Sequence, residues 1–216
     1  MNSATRVFAS TVGAIVGLAG MEHGFFEMLQ GNATPSGLVI DAIGPAQKVW
    51  PGATEPALTI IPNFFVTGIL AMLTGFLVTI WAVACVQRKY GGAVLLLLSI
   101  VLFLVGGGFP PILLGVLASV VATRINKPLK WWRAHLSVNV RGFLAKLWPW
   151  SIIAFVLIFW FAVVIAITGW PLTLFFDVNT TDFLPILTLL GYVSDVFLLF
   201  SIFTGFAYDI QRRSAE

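Results

Sequence analysis

Long apolar runs, separated by short clusters of glycine, proline and charge, set the pattern of this chain. Four runs hold about 20 mostly apolar residues, the length a helix needs to cross a hydrocarbon layer roughly 30 Å thick. They are Val7 to about Met28, about Leu58 to Ala84, about Leu147 to Thr168, and about Pro185 to Ala207. Lipid offers peptide groups no partner, so each run is expected to be helical. A fifth apolar stretch, Ala93 to Ala122, is interrupted by Gly106-Gly107-Gly108-Phe109-Pro110-Pro111. Glycines permit a turn and the proline pair removes two backbone donors, so the helix is expected to break there. One long broken helix and a hairpin of two short helices both meet that condition.

Charge separates the two. Short loops rich in Lys and Arg stay in the cytoplasm, and both flanks of the interrupted stretch are basic: Arg88 and Lys89 before it, Arg124, Lys127, Lys130, Arg133, Arg141 and Lys146 after it. A hairpin keeps both flanks on one side. With six membrane helices and both termini inside, every one of the 12 Lys and Arg residues except Lys48 is cytoplasmic. Asp41, Glu55, Asp177 and Asp182 then fall outside. Each hairpin arm offers only about 15 apolar residues, short of a full span, so a re-entrant hairpin with the same flank topology is the alternative.

The expected fold is therefore all-α: a single polytopic membrane domain over 1–216, with an outer loop over 31–57 and a basic cytoplasmic loop over 124–146. Within Pro128 to Pro149, Trp132, Leu136, Val140, Phe143 and Leu147 share one helical face while Lys130, Ser137 and Arg141 share another. That pattern predicts an amphipathic helix lying at the interface, with anionic lipid head groups as partners of its cations; a plain extension of the next helix is the other reading.

Composition supports the membrane class: 59% of the 216 residues are hydrophobic and 10% charged, too little charge to cover a water-soluble surface. The net charge of +3 follows from the loops and gives no reason to expect nucleic acid. A single cysteine, Cys85, excludes an intrachain disulfide. Two acceptor triplets, Asn32-Ala33-Thr34 and Asn179-Thr180-Thr181, fall in predicted outer loops.

The first run carries the most informative pattern. Ala9, Gly13, Gly17, Gly20 and Gly24 form one small-residue stripe that lets a second helix approach closely. Its partner is either another helix of this chain or the same helix in a second copy. Beside the stripe stand Glu22, His23 and Glu27, with His23 and Glu27 one turn apart on one face and Glu22 directed elsewhere. Asp195 lies near the middle of the last run, and Asn63 follows Pro62 at the start of the second. Ionisable groups inside a membrane are costly and mark functional candidates. Glu22, His23, Glu27, Asn63 and Asp195 together suggest a polar layer toward the outer leaflet, suited to a ligand or a proton relay.

Metal and cofactor chemistry finds little support at this stage. With two histidines in all, no site built from several His or Cys ligands forms in one copy, and a bis-histidine haem requires two copies. No nucleophile elbow, phosphate loop or zinc-protease motif occurs. The pattern thus favours a noncatalytic helix-packing subunit or dimer, with a small transporter or proton-linked carrier as the second reading.

Overall fold

The computed structural model describes residues 1–177 and 183–214; the Asn179 triplet and Asp182 lie outside them. The fold is an all-α bundle. Its helices are α1 (Ser3–Leu29), α2 (Phe64–Ile80), α3 (Gly91–Leu104), α4 (Phe109–Ala122), α5 (Lys130–His135), α6 (Val138–Thr168) and α7 (Leu184–Arg213). Strands β1 (Val39–Asp41) and β2 (Pro56–Leu58) pair antiparallel. A π-helical turn, Trp81–Cys85, continues α2. Four of the described helices are long and apolar enough to cross a membrane: α1, α2 with its continuation, α6 and α7.

The chain divides into two compact units. One comprises Ala9–Lys48 and Thr54–Thr123, and its organising feature is the glycine stripe. A methyl group built on Gly24 would lie 2.6 Å from the Gly68 carbonyl oxygen, and one on Gly17 2.8 Å from the Thr79 amide nitrogen. Reciprocally, a Cβ on Gly68 or Gly75 would lie 2.5 Å from the carbonyl oxygen of Gly24 or Gly17. The helices therefore meet backbone to backbone and run antiparallel, as small residues allow. Gly13 faces Ala82 and Leu95, and Gly20 faces Leu102; Ala9 is fully buried. The stripe makes its close contacts with α2 and α3 of its own chain.

The interrupted stretch is a hairpin. Gly92 lies against Ser119 and Ala122, and Gly115 against Ser99, so α3 and α4 are antiparallel, each 14 residues long, or about 21 Å at 1.5 Å per residue. Gly106 and Gly108 take φ of 105° and 82°, values that side chains disfavour. Pro110 and Pro111 stand in the first turn of α4, where a missing amide costs no helical hydrogen bond.

The second run was expected to be helical from about Leu58, but α2 begins at Phe64. The intervening backbone is used otherwise: Leu58 belongs to β2, and Thr59 bridges Val105 at the hairpin turn. Thr67 Oγ1 donates to the Val105 carbonyl at 2.7 Å and is 2.5 Å from Thr59 Oγ1.

The other unit comprises Met1–Phe8, Val49–Ala53 and Arg124–Glu216. Its long helices α6 and α7 pack together, with Ser151 and Thr204 hydroxyls 2.9 Å apart in the contact. The basic segment anticipated as one amphipathic helix is two pieces. Leu136 is extended, and Ser137 caps α6 by accepting from the Val140 amide, so residues from Val138 onward extend the next helix while α5 stands alone. Trp132 holds α5 against α7 through Phe203 and Phe206, with ring centroids 5.2 and 5.4 Å away.

The start of α1 is capped from a distance. Asp209 of α7, 2% exposed, accepts from the Ala4 and Thr5 amides at 2.9 and 2.8 Å, from Thr5 Oγ1 at 2.7 Å and from Ser3 Oγ at 3.3 Å. Two otherwise orphaned amides of the first turn are thereby satisfied and the helix dipole met by a carboxylate. Asn2 donates to the Arg124 and Lys127 carbonyls at 2.7 and 2.9 Å, fixing the loop after α4.

Replacing Asp209 by Ala is expected to lower stability by about 1–3 kcal/mol, the scale of orphaning buried donors, read as a fall in the thermal midpoint of the detergent-solubilised protein. Gly75→Leu is expected to cost about 1–3 kcal/mol or more through overpacking, whereas Gly191→Leu, where a Cβ meets nothing within 4 Å, leaves the midpoint near its starting value. Equal midpoints for the two glycine variants would contradict the close α1–α2 approach.

Candidate functional site

Near the end of α1 the helix presents three ionisable side chains within two turns, Glu22, His23 and Glu27. His23 is 2% exposed and Glu27 fully buried. His23 Nε2 stands 3.1 Å from Glu55 Oε2. Glu22, expected to point away from His23, reaches the same carboxylate: one ligand atom from each of Glu22, His23 and Glu55 lies within 4.8 Å of the others. Neighbouring side chains on a helix diverge by about 100°, yet both are long enough to converge on a group lying over the gap between them.

Glu55 comes from the outer loop, and the small sheet explains its placement. The Asp41 carboxylate accepts from the Glu55 amide at 2.9 Å and from the Ile43 amide at 3.2 Å, and the Ala42 amide donates to the Glu55 carbonyl at 2.9 Å. Lys48 Nζ lies 3.0 Å from the second Asp41 oxygen. Partial burial opposes the charge on Asp41, but the Glu55 amide, Lys48 and Thr54 outweigh it and hold the carboxyl below its ordinary value. Gln30, just past α1, donates to the Asp41 and Ala42 carbonyls at 3.0 and 2.7 Å, which ties this loop to the helix that carries His23.

The hairpin turn closes the other side. A Cβ on Gly108 would lie 2.5 Å from His23 Nε2, and one on Gly106 2.6 Å from the Glu27 carboxyl carbon. The Gly106 amide donates to the Leu58 carbonyl at 2.9 Å, so β2 and the turn are fastened together over the cluster. The two sequence features that stood out separately, Gly-Met-Glu-His-Gly and Gly-Gly-Gly-Phe-Pro-Pro, thus meet in one place.

The cluster is not saturated by the described residues. His23 Nδ1, Glu22 Oε1 and both oxygens of Glu27 are buried without a hydrogen-bond partner. Buried polar atoms are paired in the great majority of cases, so four such atoms within two helical turns set this region apart.

The remaining candidates lie elsewhere. Asn63 caps α2, its Oδ1 accepting from the Val66 amide at 3.0 Å. Asp195 belongs to the other unit, exposed on α7. Glu55 was read from the sequence only as an outer-loop acid. Its one local signal is the acidic pair Asp41 and Glu55 flanking the loop, which becomes informative only once β1 and β2 are known to pair.

Gly108→Ala is expected to displace the imidazole, read as shifted His23 side-chain resonances in spectra of histidine-labelled protein. Gly37→Ala, where a Cβ meets nothing within 4 Å, is expected to leave those resonances in place. Unmoved resonances in Gly108→Ala would contradict the packing of the turn on His23.

Compared with models of protein families, with curated proteins and with solved structures, the chain matches none of them.

Proposed function

We propose that this protein is a small multi-pass carrier of the cell membrane that binds a cation at Glu22, His23, Glu27 and Glu55, with both termini in the cytoplasm. The observation that carries the reading is Glu27: a fully buried side chain with both carboxylate oxygens unpartnered, one turn from His23 and packed against Gly106 of the hairpin turn. Burying a carboxylate without partners is expensive, and a bound cation offsets that cost where a rigid structural role does not.

In this arrangement α1, α2, α6 and α7 cross the bilayer, and the α3–α4 hairpin enters and leaves on the cytoplasmic side. Its arms are short for a full crossing, but the turn reaches the level of His23 and Glu27 and is met there by β2, so its backbone finds partners in the protein rather than in lipid. In the other unit, Lys130, Arg133 and Arg213 line a groove suited to anionic head groups.

A second reading, a noncatalytic subunit working through helix packing, draws support from Asp195. A lone exposed carboxyl midway along an apolar helix invites cover by a partner. The glycine stripe gives that reading no help, because its close contacts are within the chain.

The test is charge displacement in proteoliposomes on a solid-supported membrane, following jumps in proton, sodium and divalent-ion concentration. At least one cation is expected to give a transient current that Glu27→Gln reduces by roughly tenfold, the factor for about 1.4 kcal/mol of binding, while Asp195→Asn leaves it unchanged. Identical responses from wild type and Glu27→Gln for every cation would overturn the carrier reading. Loss of current with Asp195→Asn instead would move the functional site to α7.

A further inference from the structure

We infer that Glu22, His23 and Glu55 form a binding site for a divalent first-row transition-metal ion of the zinc type, with Glu27, one helical turn after His23, as a third carboxylate. The inference rests on the cation-binding reading above and names the ion class. It begins from distance. Ligands on one zinc ion stand about 2.0–2.2 Å from the metal, which places them roughly 3–4 Å from one another. His23 Nε2 and Glu55 Oε2 are 3.1 Å apart, and the three donor atoms all lie within 4.8 Å of one another, so a small side-chain rotation brings the set onto a single ion.

The donor chemistry narrows the ion. One imidazole with two carboxylates suits zinc, cobalt, manganese or ferrous iron better than magnesium or calcium, which take oxygen ligands, and offers no thiolate for soft cuprous ion. Two carboxylates and a neutral imidazole also balance a divalent charge, which a site 2% exposed at His23 requires.

Buried atoms provide an independent line. Oε1 of Glu22 and both oxygens of Glu27 lack partners, although nothing about donor spacing requires it. The surroundings also fix the ligands. The Glu55 backbone is held by Asp41 and Ala42, and a side chain at Gly108 would occupy the space at Nε2. Such outer support is what holds metal ligands in position.

The test is calorimetric titration of the metal-stripped, detergent-solubilised full chain with Zn²⁺, alongside visible spectra of the Co²⁺-loaded protein. A His135→Ala background removes the one other imidazole in the sequence. One ion per chain is expected to bind in the presence of millimolar Mg²⁺. Glu55→Gln, a loop change outside the helix packing, is expected to weaken binding by at least about tenfold, and His23→Gln by about 100-fold, the range found when metal-site support is removed. Co²⁺ is expected to give a ligand-field spectrum that both variants change. If His23→Gln does not fold, Glu55→Gln alone decides. No stoichiometric Zn²⁺ binding, or equal affinity in wild type and Glu55→Gln, overturns the metal site. Failure of metal binding with the Glu27-dependent current intact removes this inference and leaves the carrier reading. Tight Zn²⁺ binding with no current for any cation does the reverse and marks a static metal site.

Discussion

The close approach of α1 and α2 is the contact on which the site depends. Gly17 meets Gly75 and Gly24 meets Gly68 with room for no side chain between them. In lipid, apolar side chains gain little by leaving the bilayer for a protein interior, so association relies on dispersion and close packing, which small residues maximise. Gly24 is the neighbour of His23, and Gly20 rests on Leu102 just before the hairpin turn. Fixing the stripe therefore fixes the rotation of α1, and that rotation decides where His23 and Glu27 point.

A second constraint acts through the backbone of the turn. The hairpin arms are too short to carry residues 105–108 far, and each polar group there needs a partner. The Gly106 amide finds the Leu58 carbonyl, the Val105 carbonyl finds Thr67, and the Ile60 amide finds the Leu104 carbonyl. Satisfying the turn draws β2 down over it, and β2 carries Glu55 one residue before its first strand position. The arrival of Glu55 beside His23 follows from a hydrogen-bonding requirement at the turn, and the ionisable cluster is assembled by the same bonds that close the hairpin.

This dependence explains what was legible in the sequence and what was not. Apolar run length located the four long helices, and the glycine–proline interruption located the hairpin, because both are local properties. The start of α2 was misplaced by six residues, since Leu58 and Thr59 are apolar enough to join a helix and only their pairing with β1 and Val105 removes them from it. His23 and Glu27 stood out because charge is rare in apolar runs. Glu55 did not, because acids are ordinary in loops and its role is set by long-range pairing. Asn63 drew attention by its expected depth, yet its position one residue before α2 made it a cap, a role its residue type commonly takes. Asp209 escaped notice for the opposite reason: it sits among the polar residues that end α7, where a carboxylate is unremarkable until its partners on α1 are known.

Asp209 and Glu27 together show why burial alone does not identify a site. Both are acidic, both lie on helices long enough to cross a membrane, and they are 2% and 0% exposed. Asp209 accepts four hydrogen bonds from Ser3, Ala4 and Thr5, so its burial is compensated by the helix end that it caps. Glu27 accepts none from the described residues, and a side chain at Gly106 would run into its carboxyl group. A carboxylate kept for structure acquires partners, because every unpaired buried oxygen costs free energy. Glu27 has no such compensation among the described residues, and the unpaired nitrogen of His23 and oxygen of Glu22 gather at the same end of α1.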